Sequence, residues 1–152
     1  MNQLSRILPQ ENILLDVNVT SKKRAFEQAA LLFENNQGIA RSTVFDSLFS
    51  RERLGSTALG HGVAVPHGRI ANLKQAVAAV MRLSTAIPFD APDGQHVQLL
   101  VILLVPESAT QQHLEILAEL AQLLSSGETR KQLLASPNSE GIYDLLAHPA
   151  GD

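Results

Sequence analysis

Cysteine is absent from the 152 residues, which excludes disulfides and thiolate chemistry and fits a cytosolic setting. A basic surplus is also missing. Twelve Lys and Arg face fifteen Asp and Glu, a net charge of -3, whereas a general nucleic-acid binder carries a basic excess or stripe. The longest apolar run, "LLVILLV", is too short to cross a bilayer as a helix. The opening "MNQLSRILPQENILL" has neither the basic start nor the continuous apolar core of a signal peptide. There is no internal repeat, low-complexity tract or linker. These absences predict a soluble, cytoplasmic protein with no membrane insertion and no nucleic-acid partner. The length suits a single domain over residues 1–152, with a core from about 5 to 147.

The apolar pattern then runs through helices, strands and helices again, as one layered α/β domain does. Residues 4–15 are a short lead broken at Pro9. "VTSKKRAFEQAALLFENNQG" reads as a helix capped by Thr20 or Ser21, with Phe26, Ala29, Ala30 and Phe33 on one stripe and Asn36 and Gly38 as the stop. A second helix starts at Ser42, buries Val44, Phe45, Leu48 and Phe49, and ends near Gly55. A glycine-rich loop follows, then a strand "VAV" stopped by Pro66. "QAVAAVMRL" reads as a strand, although its alanines also suit a helix. "STAIPFDAPDGQH" is loop or edge strand, and "VQLLVILLV" is a central strand apolar on both faces. "TQQHLEILAELAQLLSSG" is a helix with Leu114, Leu117, Ala118, Ala121 and Leu124 on its stripe and Gly127 as terminator. Two short helices follow, about "ETRKQLLAS" and "SEGIYDLLA", and the tail "HPAGD" is expected to fray.

The chemistry concentrates in "RERLGSTALGHGVAVPHGR", residues 51–69. Gly60, Gly62 and Gly68 let other groups approach the backbone closely. Pro66 stiffens the mount of His67, which stands at a strand end. A histidine held there through one ring nitrogen keeps a lone pair on the other and can act as a nucleophile. Ser56, Thr57 and loop N–H groups can cradle an anion, and Arg51 and Arg69 can offset its charge. His113, in the first turn of the helix after the central strand, can meet His67 near the carboxyl ends of the strands. Two imidazoles, an arginine and paired hydroxyls suit a phosphoryl group on nitrogen. Each residue also has a plainer use. His67 can be a satisfied structural histidine, His113 a helix decoration, the arginines solvated surface charges, and the hydroxyls turn stabilisers. His61, His67 and His113 offer nitrogens to a metal, but no Asp, Glu or Cys stands at ligand spacing in the loop. His96 and His148 have no partner legible in the sequence.

The same stretch resembles the phosphorylation loop of phosphotransferase-system enzyme IIA proteins of the mannitol/fructose class. The blocks "ENILLDVNVTSKKRAFEQAALLF", "PFDAPDGQHVQLLVILLVP" and "HLEILAELAQLL" extend the resemblance over nearly the whole chain and point to the nitrogen-type branch. The resemblance implies a mixed central β-sheet with α-helices on both faces. It makes His67 the phosphoryl acceptor and His113 its partner, with Arg51, Ser56, Thr57 and Gly68 around the phosphate. It departs at His61, where family members commonly carry a small or amide residue; the imidazole there either reaches the phosphate or lies at the rim. An HPr-like phosphocarrier would be the donor, with no metal, nucleotide or other cofactor needed. Such a protein is a phosphocarrier rather than a free-standing turnover enzyme, and its targets include potassium transport and sensor-kinase systems. Three other functions compete: a sugar-specific IIA passing phosphate to a IIB domain, a binding module without phosphotransfer, and a metal-dependent hydrolase.

Overall fold

The structure, a computed structural model, describes residues 2–108 and 110–149. The end of the tail, from residue 150, lies outside the described residues, and with it part of the expectation that the tail frays. The chain opens with α1 (Leu4–Ile7), which stops ahead of Pro9, and a 3-10 turn over Gln10–Asn12. There follow β1 (Ile13–Val17), α2 (Lys22–Gln37), α3 (Arg41–Glu52), β2 (Ala58–Gly60), β3 (Val63–Ala64) and β4 (His67–Ile70). The long strands β5 (Val77–Ile87) and β6 (Val97–Pro106) precede α4 (Thr110–Leu124), α5 (Gly127–Ala135) and α6 (Ser139–Ala147). No helix among the described residues is long and apolar enough to cross a membrane.

The strands form one mixed sheet in the order β1-β5-β6-β3-β2, with β4 also on β6. β5 and β6 pair antiparallel at the centre, while β1 lies parallel to β5. β3 and β4 run parallel to β6 one after the other, Val63 opposite Leu99 and His67 opposite Leu103. The alternating side chains of β5 and β6 feed two cores. Ala79, Met81, Leu100, Ile102 and Leu104 pack under α2 and α3. Ala78, Val80, Leu99, Val101 and Leu103 pack under α1 and α4–α6. The sheet is therefore covered by helices on both faces, as expected. With Leu99 to Leu104 wholly buried, each such side chain contributes roughly 1.5–3 kcal/mol of transfer free energy before entropy is charged.

Several local expectations change. "QAVAAVMRL" is strand despite its alanines, because Ala78 and Ala79 have no exposed surface and their small side chains let a helix layer close on each face. β5 runs on to Ile87, so the first part of "STAIPFDAPDGQH" is strand and only the rest is loop. α3 starts at Arg41 rather than Ser42. Gly127 terminates nothing; it opens α5, behind the Ser126 cap whose hydroxyl accepts from Thr129 N–H at 3.2 Å. β3 ends at Ala64, ahead of Pro66, as expected, but the pairing with β6 does not stop there. The Pro66 carbonyl accepts from Leu103 N–H at 3.0 Å, and pairing resumes at His67. The stripe of α4 is also displaced. Leu114 is 56% exposed and Ala118 and Ala121 face solvent, while His113, Ile116, Leu120 and Leu124 are buried.

Candidate active site

α3 ends above β4, and the exit from β6 leads into α4, so three elements converge on His67. Helix α3 can come this close because position 68 lacks a side chain. A Cβ on Gly68 would stand 2.2 Å from Ser47 Oγ and 3.0 Å from its backbone carbon. Ser47 Oγ instead donates to Arg69 O at 2.8 Å, tying helix to strand.

His67 is half-buried, and its Nδ1 lies 2.9 Å from the carbonyl oxygen of Val65. A carbonyl can only accept, so Nδ1 carries the proton and Nε2 keeps its lone pair. The ring of His113 stands edge-on to it, with centroids 5.0 Å apart and planes at 66°. Both open onto a depression of about 580 Å³. Its walls are Asp46, Ser47, Ser50, Arg51 and Leu54 on one side, Gly68 and Arg69 on the other, with His113 in the first turn of α4. A second depression of about 510 Å³, between α2 and α3, contains no histidine.

Burial and nearby charge favour the neutral form of both rings. Burial pushes His67 below the ordinary histidine value; the Val65 carbonyl opposes this, Arg51 adds to it, and Glu52 opposes it. Burial likewise lowers His113, reinforced by His67, Arg69 and Arg51. Neither ring nitrogen of His113 has a hydrogen-bond partner among the described residues. An unpaired buried polar group costs about 1–3 kcal/mol, a cost that a bound anion accepting one of these bonds would remove. A neutral nucleophilic nitrogen, a neutral hydrogen-bond donor and two guanidinium groups are thus presented to one space. That set can receive and stabilise a phosphoryl group.

The model for the family described as "Phosphoenolpyruvate-dependent sugar phosphotransferase system, EIIA 2" matches residues 6–148. The chain belongs to that family. The crystal structure of nitrogen regulatory protein IIA-Ntr from Neisseria meningitidis matches this EIIA protein with a TM-score of 0.91 and 48% identity, over 95% of this chain and 99% of that one. A "Nitrogen regulatory protein" of Pseudomonas aeruginosa is 40% identical over 147 residues, 96% of each chain. One from Bradyrhizobium diazoefficiens is 39% identical over 146 residues, 96% of this chain and 95% of the relative.

Of the residues singled out in the sequence, His67, His113, Arg51, Gly68 and Arg69 meet at the depression. Ser56, Thr57 and His61 are not among its walls. Ser56 Oγ donates to Phe89 O at 2.6 Å and accepts from Ala58 N–H at 3.2 Å. Thr57 gives both its N–H and its hydroxyl to the carboxylate of Glu52, at 3.0 and 2.7 Å. His61 is exposed in the two-residue turn between β2 and β3, and Asp93 accepts its backbone N–H at 2.8 Å. His61, His67 and His113 therefore do not form a ligand triad; among the described residues no three His, Asp or Glu side chains gather as a metal site would require. Sequence reasoning missed Asp46, Ser47, Ser50, Leu54 and the buried Glu52. For Glu52 a signal existed: Val44, Leu48 and Glu52 recur every four residues, on the buried row of α3.

Proposed function

We propose that this EIIA protein is a cytoplasmic regulatory phosphocarrier of the nitrogen type, accepting a phosphoryl group on Nε2 of His67 from the phosphohistidine of an HPr-like donor. The observation that carries this is the 2.9 Å bond from His67 Nδ1–H to Val65 O, which leaves Nε2 unprotonated beside His113. In the step, the bond from His67 Nε2 to phosphorus forms as the donor's N–P bond breaks. The electron pair of the broken bond returns to the donor nitrogen, and His67 keeps its Nδ1 proton. Transfer through a loose, metaphosphate-like state asks for alignment and charge stabilisation rather than covalent help. His113 and Arg51 donate to the equatorial oxygens, Arg69 adds positive potential, and the docked donor excludes water. Ser56 and Thr57 act on the loop that carries this geometry, through the bonds they make to Phe89 and Glu52.

Regulation follows from charge. A phosphate adds close to two negative charges to a depression whose wall includes Leu54, 84% exposed. Targets that dock on this apolar rim then discriminate the two forms; potassium transport and sensor-kinase systems are the target classes implied by the nitrogen-type branch. The family description names a sugar phosphotransferase system, so the competing function is a sugar-specific IIA that passes phosphate to a IIB domain.

The test isolates one step. Purified phosphorylated donor should give the wild-type protein acid-labile, alkali-stable phosphate, unaffected by chelation of metal. His67→Ala should be folded and take none. Phosphate acquired by His67→Ala at the normal rate removes the assignment, and rapid onward transfer to a permease IIB domain selects the sugar-specific function.

A further inference from the structure

Glu52 has 6% of its surface exposed, and the acceptor step described above does not use it. Its Oε2 lies 3.1 Å from Lys22 Nζ, which also sits 4.6 Å from the centroid of the Phe89 ring. Stability alone accounts poorly for such a pair, since apolar replacements of buried ion pairs are often neutral or stabilising. The hydrogen bonds lead elsewhere. Glu52 Oε2 accepts from Thr57 N–H at 3.0 Å and Oε1 from Thr57 Oγ1 at 2.7 Å. The Thr57 carbonyl accepts from Val65 N–H at 3.0 Å, one step beyond the Ala58–Ala64 pairing of β2 with β3. The Val65 carbonyl in turn accepts from His67 Nδ1–H at 2.9 Å. An unbroken series therefore runs from a buried carboxylate at the end of α3 to the nitrogen that must not react.

We propose that Glu52 is a positioning residue for the acceptor histidine: through Thr57 it fixes the Val65 carbonyl, and that carbonyl holds His67 in the Nδ1–H tautomer with Nε2 free. Glu52 touches neither the phosphate nor the reacting nitrogen. It sets which nitrogen is protonated and where the ring points, and either error removes the lone pair from the line of attack. Lys22 is the countercharge that lets the carboxylate stay buried. The proposal rests on the reading of His67 as acceptor, and its first readout does not require phosphorylation.

Long-range proton–nitrogen correlation NMR at mildly basic pH reports the tautomer of the His67 ring directly. Wild type should show the Nδ1–H tautomer alone; a mixture in wild type overturns the proposal without any variant. Lys22→Met combined with Glu52→Met removes both charges together, keeps apolar volume, and leaves Thr57 N–H without its acceptor. Both tautomers should then appear, and phosphoryl acceptance should slow by about tenfold. Glu52→Ala serves the same purpose should the double variant fail to fold. Glu52→Gln keeps an amide oxygen for Thr57 N–H and should retain the single tautomer, with most of the wild-type rate. A folded variant without the acceptor that keeps the Nδ1–H tautomer and the wild-type rate overturns the proposal. Absence of phosphate on the wild-type protein sinks the acceptor assignment instead, while the tautomer spectra still decide the role of Glu52.

Discussion

Gly68→Ala isolates how closely α3 must approach His67. The backbone at Gly68 lies outside the left-handed region, so alanine meets no conformational strain there, and the loss of chain freedom in the unfolded state favours it by about 0.4–1 kcal/mol. Contact opposes it. The added Cβ falls 2.2 Å from Ser47 Oγ, 3.0 Å from Ser47 C and 3.1 Å from Ser47 Cβ. Rotating the hydroxyl away sacrifices its 2.8 Å bond to Arg69 O, worth about 1 kcal/mol. The backbone contact then pushes α3 outwards by a few tenths of an ångström, an overpacking cost of about 1–3 kcal/mol. The net loss is about 2 kcal/mol, or a melting point lower by about 4–8 °C for a domain of this size. Because α3 carries Arg51 and Ser50 over the depression, phosphoryl acceptance should also slow several-fold. The assay is a double-mutant cycle with Ser47→Ala, read by thermal melts and single-step phosphorylation. Without the hydroxyl, Gly68→Ala should cost about 1 kcal/mol less than in wild type. Unchanged melting and acceptance in Gly68→Ala, or strict additivity in the cycle, would refute the reasoning.

His113→Ala should still accept phosphate, but about a hundredfold more slowly, as for removal of one charge-stabilising donor; rates equal to wild type in both directions exclude that role. Acceptance by wild type should fall on acidification only below the ordinary histidine value, since His67 is depressed by burial and only its neutral ring attacks. Stability should move the same way. His67 and His113 are both lowered in the fold, so the unfolded chain binds more protons, and stability declines as pH falls from about 6.5 towards the folded values; urea titrations across that window check the sign. His61→Asn should stabilise the protein by roughly 0.5 kcal/mol, because His61 and Gly62 both have positive φ, 57° and 82°, as the Asn-Gly pair of a type I′ turn does. Its acceptance rate should match wild type at mildly acidic and mildly basic pH, and a pH-dependent difference would bring the imidazole back to the phosphate.

The parts of the fold legible in the sequence are those fixed by local chemistry. The start of α2 was legible because Ser21 accepts from Arg24 N–H at 3.2 Å, and its end because Gly38 takes φ 70°. The central strand was legible because no polar residue interrupts Leu99–Val105. Choices made by distant partners were not. Around α4 two apolar rows compete, 114-117-118-121 and 113-116-120-124, and periodicity alone cannot rank them. The second row wins because it packs against β6, and with it His113 turns inwards. The strand before Pro66 ends as expected, and what the sequence did not show is that pairing resumes beyond it. Proline removes a donor but not an acceptor, and the pairing of β4 with β6 uses the carbonyl that remains.

The same division runs through the site. Proline before His67 and glycine after it marked a histidine on a stiff mount with a helix close behind, and both features follow from those three residues. A hydroxyl beside a glycine carries no such information, because it satisfies an anion and a carboxylate equally well. What assigns Ser56 and Thr57 is the group that claims them first. Glu52 sits on the Val44-Leu48 row of α3, and a charge on a buried row must find partners or not be buried. The first donors available after the helix turns are those of Thr57, five residues on, and the carboxylate takes both. The Thr57 hydroxyl is therefore committed to the scaffold that leads to His67, and a phosphoryl group on that histidine would draw on other donors. His113 is the clearest of these, with both ring nitrogens buried and without a hydrogen-bond partner among the described residues.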